Sequence, residues 1–267
     1  MKPFAALFRI RFTNSLQYRA AALAGLVTQF GWGLMTILGF AAFYRENPTG
    51  FPMTFQQTVA YIWMQQAFMA LLFIWFWENS IFESIESGGV AYDLVRPMDV
   101  YGRWFTTISA NRIARTVLRA VPLLVIALIL PVAFRLVLPS SFITVVLFII
   151  SLILSLSVVV AFSMLIYIST FYTMNSKGIR IVVGIAADFL MGSYIPIPFF
   201  PDTLRTMIEF SPFGAMKNTP LLIFSGYLTG ADLVQSMLLQ IFWLLFMLLA
   251  GRFFMSRALK RVVVQGG

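Results

Sequence analysis

The chain has 267 residues, of which 60% are apolar and 11% are charged, and its formal net charge is +9. A soluble domain has about 45–50% apolar and about 25% charged residues, so this composition excludes an ordinary soluble protein and places most of the chain in lipid. The sequence has no Cys and no His, which excludes thiol and imidazole chemistry and the commonest transition-metal ligands.

The N-terminal segment 1–19 carries four basic residues among apolar ones. At about 100° per residue, Phe4 and Phe8 share one face of a helix, while Lys2 and Arg9 share the other. Its apolar stretches are too short to span a bilayer. The pattern predicts an amphipathic helix that lies in the membrane interface, with a plain extension of the first span as the alternative.

The rest of the chain, residues 20–267, predicts an all-α membrane protein with six transmembrane helices. The predicted spans are 20–44, 55–77, 120–136, 142–171, 179–195 and 233–254. The stretch 196–230 holds five prolines, yet it is too apolar for a free loop. It predicts a re-entrant or extracellular helical hairpin before the last span.

The basic residues predict the orientation of these spans. With both termini in the cytoplasm, 15 of the 19 Lys and Arg residues lie in cytoplasmic segments. The four that lie outside are Arg45, Arg135, Arg205 and Lys217. Because basic loops remain on the cytoplasmic side, we expect cytoplasmic N- and C-termini. The same distribution accounts for the basic pI without a nucleic-acid partner.

The segment between the second and third predicted spans is the longest polar stretch and holds five of the ten acidic residues. Gly88 and Gly89 break a helix after Ile85, a short apolar helix follows, and Pro97 ends it. Connections in helix bundles usually have about two to eight residues. This longer segment predicts a structured knuckle on the cytoplasmic side; the alternative is a mere connector.

Three polar residues inside the predicted spans are candidate site residues. Asp188 is the one acidic residue among them, and a charge there costs about 2.5–3.5 kcal/mol, so it faces protein or water, or is protonated. Gln65 and Gln66 lie near the middle of the second span. Two interpretations stay open: a polar translocation path or dimer interface, and a structural pairing of Asp188 with a glutamine or a backbone group.

Two motifs carry a resemblance to a known family. The first, I-x-x-G…L-x-R-P after the second span, is met by Ile85, Gly88, Leu94, Arg96 and Pro97. The second, G-x-x-I-P…P at the end of the fifth span, is met by Gly192, Ile195, Pro196 and Pro201. With a basic interfacial helix before six spans, the chain resembles the permease subunits of ABC-2 type transporters, in particular a branch of paired bacterial permeases.

The resemblance implies a permease of an ABC exporter in the bacterial plasma (inner) membrane. A separate cytoplasmic ATPase would drive efflux of a lipid, glycan, drug or peptide, and a second permease, identical or homologous, would pair with this chain. The knuckle would be the coupling helix that contacts the ATPase. The implied coupling residues are Glu83, Glu86, Gly88, Gly89, Asp93, Leu94, Arg96 and Pro97.

The sequence contains no G-x-x-x-x-G-K-[ST] phosphate loop, so we expect ATP and Mg to bind the partner ATPase. On this chain we expect no enzyme activity, catalytic residue, metal or cofactor. One alternative is a secondary transporter with Asp188 as its proton or ion site, although no inverted repeat is visible. Another is a membrane-embedded lipid enzyme, although the acidic residues lack metal-ligand spacing.

Overall fold

The computed structural model describes residues 2–17, 19–173 and 175–261. All regular elements of these residues are helices. The first seven are α1 (Lys2–Ser15), α2 (Arg19–Glu46), α3 (Phe55–Ala67), α4 (Met69–Leu72), α5 (Asn79–Glu86), α6 (Val90–Leu94) and α7 (Val100–Ile129). The others are α8 (Phe142–Thr173), α9 (Lys177–Leu190), α10 (Asp202–Phe210), α11 (Thr219–Phe224) and α12 (Gly230–Leu259).

Three helices of the described part are long and apolar enough to cross a membrane by length and composition. They are residues Ala22–Glu46 of α2, Phe142–Thr173 of α8 and Gly230–Leu259 of α12. At 1.5 Å per residue, α8 and α12 are about 45 Å long, longer than the hydrocarbon core of about 30 Å. An all-helical membrane protein is therefore confirmed, while the count of six spans stays a prediction.

The second and fifth predicted spans are not continuous helices. The second consists of α3 and α4 and then runs on without regular structure from residue 73 to 78. The fifth ends its helix α9 at Leu190, because Gly192 takes a φ of 68°, a left-handed conformation that glycine adopts readily and that stops helices. The helices are thus shorter than the predicted spans 55–77 and 179–195.

The third predicted span lies in a helix with different ends. Its helix α7 begins at Val100, where the carboxylate of Asp99 accepts a hydrogen bond from the Gly102 N–H at 2.7 Å and so caps the N-terminus. It ends at Ile129, because the proline at position 131 disfavours helical backbone at Leu130. Hydropathy located only the apolar second half of this helix.

Helices α10 and α11 form a hairpin beside α12. The indole N–H of Trp243, near the middle of α12, donates to the Phe210 carbonyl at 3.0 Å, so α10 ends halfway along α12. The amide of Gln57 donates to the Gly226 carbonyl at 3.3 Å, so the loop after α11 lies at the start of α3. A π-helical turn, Gly214–Asn218, leads into α11.

Helix α8 is the centre of the packing and contacts α5, α7, α11 and α12. The fully buried Gln240 of α12 joins three elements, since its Nε2 donates to the Ser155 hydroxyl at 2.8 Å and to the Ala215 carbonyl at 3.0 Å. Ser151 returns a hydrogen bond to the Gln240 Oε1 at 2.9 Å. Small residues on α8 thus allow the glutamine to fasten α12 and the hairpin.

Candidate functional site

Residues 79–99, here called the connector, fold into α5 and α6 with a sharp turn at Gly88. The φ of Gly88 is 74° and open space surrounds its Cα, so glycine is needed here for its backbone freedom alone. Gly89 has a φ of −60°, which any residue adopts. The predicted break therefore depends on Gly88, and the conformation of Gly89 does not require glycine.

The end of α6 presents apolar side chains away from the helices. Tyr92 is 77% exposed and Val95 is 82% exposed, and the side chains of Leu94, Arg96 and Pro97 are exposed beside them. Val90, at the other end of α6, is buried and fixes the helix to the protein. A small apolar surface on a structured connector is typical of a protein-docking site. We call residues 92–97 the α6 tip.

The acidic residues of the connector have different environments. Asp93 forms an ion pair with Arg103 and accepts a hydrogen bond from the Trp104 indole at 3.3 Å. Its side chain is 16% exposed, so this carboxylate holds α6 against α7. Glu83 is exposed. Of these two predicted contact residues, Glu83 alone leaves its charge free for a partner.

Glu86 ties α5 to the start of α9. Its Oε1 accepts a hydrogen bond from the backbone N–H of Ser176 at 2.8 Å, and this bond lowers the pKa of Glu86. Arg180 of α9 donates to the Asn79 side chain at 2.9 Å and lies 4.7 Å over the ring of Phe82. Two separate contacts thus fasten α5 to the first turn of α9.

A second polar network anchors the entry to the connector. The Glu78 carboxylate accepts a hydrogen bond from Asn111 of α7 at 2.6 Å, and the Glu78 N–H donates to the Tyr167 hydroxyl of α8 at 2.7 Å. Ser15 of α1 donates to Asn111 at 2.9 Å. Helices α1, α7 and α8 therefore meet where the connector begins.

Lys217, Gln65 and Ser193 form a buried polar cluster between the hairpin, α3 and the segment after α9. The Lys217 ammonium donates to Gln65 at 3.1 Å and to the Ser193 hydroxyl at 3.2 Å, and lies 4.9 Å over the Phe73 ring. Gln65 donates to the Ser193 carbonyl at 2.9 Å. Lys217, which we counted among the cations on the outside, is fully buried, because these groups replace its water; the side on which it lies stays a prediction.

Asp188 and Gln66 lie apart from each other. Asp188 interacts electrostatically with Lys217, and its Oδ1 is buried with no hydrogen-bond partner among the described residues. Gln66 is buried against Gly33 of α2 and its Oε1 also lacks a partner there. In the described part of the chain, neither Gln65 nor Gln66 donates to Asp188. The interaction of Asp188 with Lys217 is not among the pairings that the sequence predicted.

Arg112 closes the broken end of the second predicted span. Its side chain is 1% exposed. Its two terminal nitrogens donate to the backbone carbonyls of Ala70, Leu71, Phe73, Ile74 and Phe76 at 2.7–3.4 Å. The end of a helix leaves carbonyls without partners, and unsatisfied carbonyls in lipid cost several kcal/mol each. This arginine therefore allows α4 to end inside the protein.

Within residues 2–17, 19–173 and 175–261, no group of three or more acidic side chains could hold a metal ion. Glu86 instead binds a backbone N–H group, and Asp93 binds an arginine and a tryptophan. That the chain uses no metal or cofactor stays a prediction.

Most of the chain, including the connector and the buried polar cluster, matches a known protein family. The model of one family, described as ABC-2 family transporter protein, matches residues 30–266. The match covers α3 to α12 and all but the beginning of α2, and so includes the connector and the buried polar cluster. No curated protein matches the chain.

Proposed function

Because the chain belongs to the ABC-2 transporter family, we propose that it is the membrane-spanning permease subunit of an ABC exporter. Separate ATPase subunits hydrolyse ATP in the cytoplasm, and a second permease, identical or homologous, completes the membrane part. The proposal is carried by the exposed α6 tip, which stands on a connector anchored to α7, α8 and α9. The exported substrate belongs to the lipid, glycan, drug or peptide classes.

The contacts of the connector support a coupling route. The α6 tip docks on the ATPase, and movement of the ATPase shifts the connector. Because Glu86 and Arg180 join α5 to α9, α9 follows. The far end of α9 leads to Ser193, which binds Lys217 of the hairpin. An ATPase movement biases the permease between two states only through such differential contacts.

In this proposal, the chain crosses the bacterial inner membrane six times and has both termini in the cytoplasm. Helix α1 lies in the interface, and α9, about 21 Å long at 1.5 Å per residue, is continued by residues 191–200 to complete the fifth crossing. Irregular backbone inside a membrane is stable only where protein covers it, and Lys217 and Gln65 cover Ser193.

Co-purification with an ATPase encoded beside this chain tests the permease assignment. We expect a stable complex that hydrolyses ATP, and no hydrolysis by the isolated chain. Replacing Val95→Glu puts a charge on the apolar α6 tip and is expected to weaken ATPase binding at least tenfold, since burying an unpaired charge costs more than about 1.4 kcal/mol.

The matched control is Val137→Glu, which adds the same charge at an exposed valine in the loop that follows the other end of α7. This variant should bind the ATPase normally. Equal binding by the Val95→Glu and Val137→Glu variants would show that the α6 tip is not the docking site. ATP hydrolysis by the isolated chain would overturn the permease assignment itself.

The orientation is testable by cysteine labelling, because the chain has no Cys of its own. In intact cells, a membrane-impermeant maleimide should label Thr49→Cys and Thr203→Cys and leave Tyr92→Cys unlabelled. Permeabilisation should expose the cysteine at position 92, which lies on the α6 tip. Labelling of Tyr92→Cys in intact cells would reverse the orientation, and with it the ATPase-facing position of the connector.

A further inference from the structure

The last turns of α8 and α12 enclose a groove of about 750 Å³. Its walls are apolar and come from Leu165, Ile168 and Tyr172 of α8 and Phe254 of α12. Its mouth carries three cations, Arg257, Lys260 and Arg261. The volume lies in the range of small-ligand sites, about 300–1,000 Å³. We call this site the α8–α12 groove.

Two of the three cations at the mouth rest on aromatic rings. The guanidinium of Arg261 lies 4.7 Å over the ring of Tyr172, and that of Arg257 lies 4.3 Å over the ring of Phe253. Neither these arginines nor Lys260 forms an ion pair with a carboxylate of the described residues. An arginine that rests on an aromatic face keeps its in-plane N–H donors available for phosphate oxygens.

We propose that the α8–α12 groove binds one anionic phospholipid of the cytoplasmic leaflet. The phosphate binds Arg257, Lys260 and Arg261, and an acyl chain lies along Leu165 and Ile168. Three cations that form no ion pair among the described residues, above an apolar cleft, match the two ends of such a lipid, and basic pockets between membrane helices are typical sites for acidic headgroups. The proposal rests on the membrane placement given above, and no ATPase contact enters it.

The test measures phosphatidylglycerol and phosphatidylcholine bound to the purified full-length chain by native mass spectrometry. We expect selective retention of phosphatidylglycerol. Each cation near an anionic surface contributes about a fivefold change in binding, so Arg257→Gln with Arg261→Gln should weaken phosphatidylglycerol binding about 25-fold. The charge-matched control is Arg252→Gln with Lys177→Gln, two cations that do not line the groove. This control should bind phosphatidylglycerol as the parent chain does.

A second variant tests the groove without changing charge. Ser169 lines its wall, and Ser169→Trp should fill the space for an acyl chain and lower phosphatidylglycerol binding about tenfold. Equal binding of both lipids, or binding that neither variant reduces, would overturn the proposal. A photoreactive residue at position 172 that crosslinks to a protein rather than to lipid would also overturn it. Because neither ATP nor transport is measured, failure here leaves the permease assignment standing.

Discussion

Replacing Arg112→Met is expected to lower the free energy of unfolding by about 3–5 kcal/mol, because each buried carbonyl that loses its donor costs about 1–3 kcal/mol. The five carbonyls at the end of the second predicted span would lose their donors, and water cannot replace the guanidinium where the side chain is 1% exposed. We would measure denaturant unfolding in detergent micelles, together with the yield of monodisperse protein.

Two variants separate the role of Arg112 from that of charge alone. Arg112→Lys keeps the charge, but lysine has a single side-chain nitrogen and cannot contact all the carbonyls that the two terminal guanidinium nitrogens reach. We expect an intermediate loss of unfolding free energy. Arg115→Met removes a more exposed arginine from the next turn of α7 and should change stability by less than about 0.5 kcal/mol. Equal stabilities of Arg112→Met and Arg115→Met would contradict the capping role.

The parts of the fold that were predictable from sequence are those that a single property determines. Helices α8 and α12 follow from long apolar runs, since lipid accepts only internally bonded backbone. Gly88 predicted the turn before α6 because glycine adopts backbone conformations that other residues avoid, and Pro97 predicted the end of that short helix because proline fixes φ and lacks an N–H. The motifs around them predicted the family, and the match over residues 30–266 confirms it.

The remaining features depend on contacts between distant residues. Hydropathy cannot show that α4 ends at Leu72, because the flanking residues are apolar and the reason for the break is Arg112, 40 residues away. The burial of Lys217 in the predicted hairpin could not be foreseen, since its partners Gln65 and Ser193 lie on other elements. Its position inside an apolar run, before Leu221 and Leu222, was the one available signal of burial.

The same limit applies to the connector. Asp93 and Glu86 belong to a motif-bearing segment, and both were predicted to contact an ATPase. In the structure Asp93 binds Arg103, and Glu86 binds the Ser176 backbone. Their carboxylates hold the connector to α7 and α9, and their contact with an ATPase stays a prediction.

The buried polar cluster gives the second large expected effect. Replacing Lys217→Met should lower the free energy of unfolding by about 2–3 kcal/mol, because Gln65 and Ser193 lose a buried hydrogen-bond donor and Asp188 loses the side chain with which it interacts electrostatically. Methionine is unbranched and of similar length, so packing around position 217 changes little. Chemical unfolding of the purified chain measures the loss.

A double-mutant cycle of Lys217→Met and Asp188→Asn isolates the interaction between the two side chains. If Lys217 and Asp188 stabilise one another, the variant carrying both replacements should be at least about 1 kcal/mol more stable than the sum of the single losses predicts. Additive losses would show that Asp188 does not depend on Lys217. Neither Lys217 nor Asp188 belongs to the α6 tip, so ATPase binding should persist in all three variants. A complex that assembles yet exports nothing would locate the defect between the connector and the hairpin.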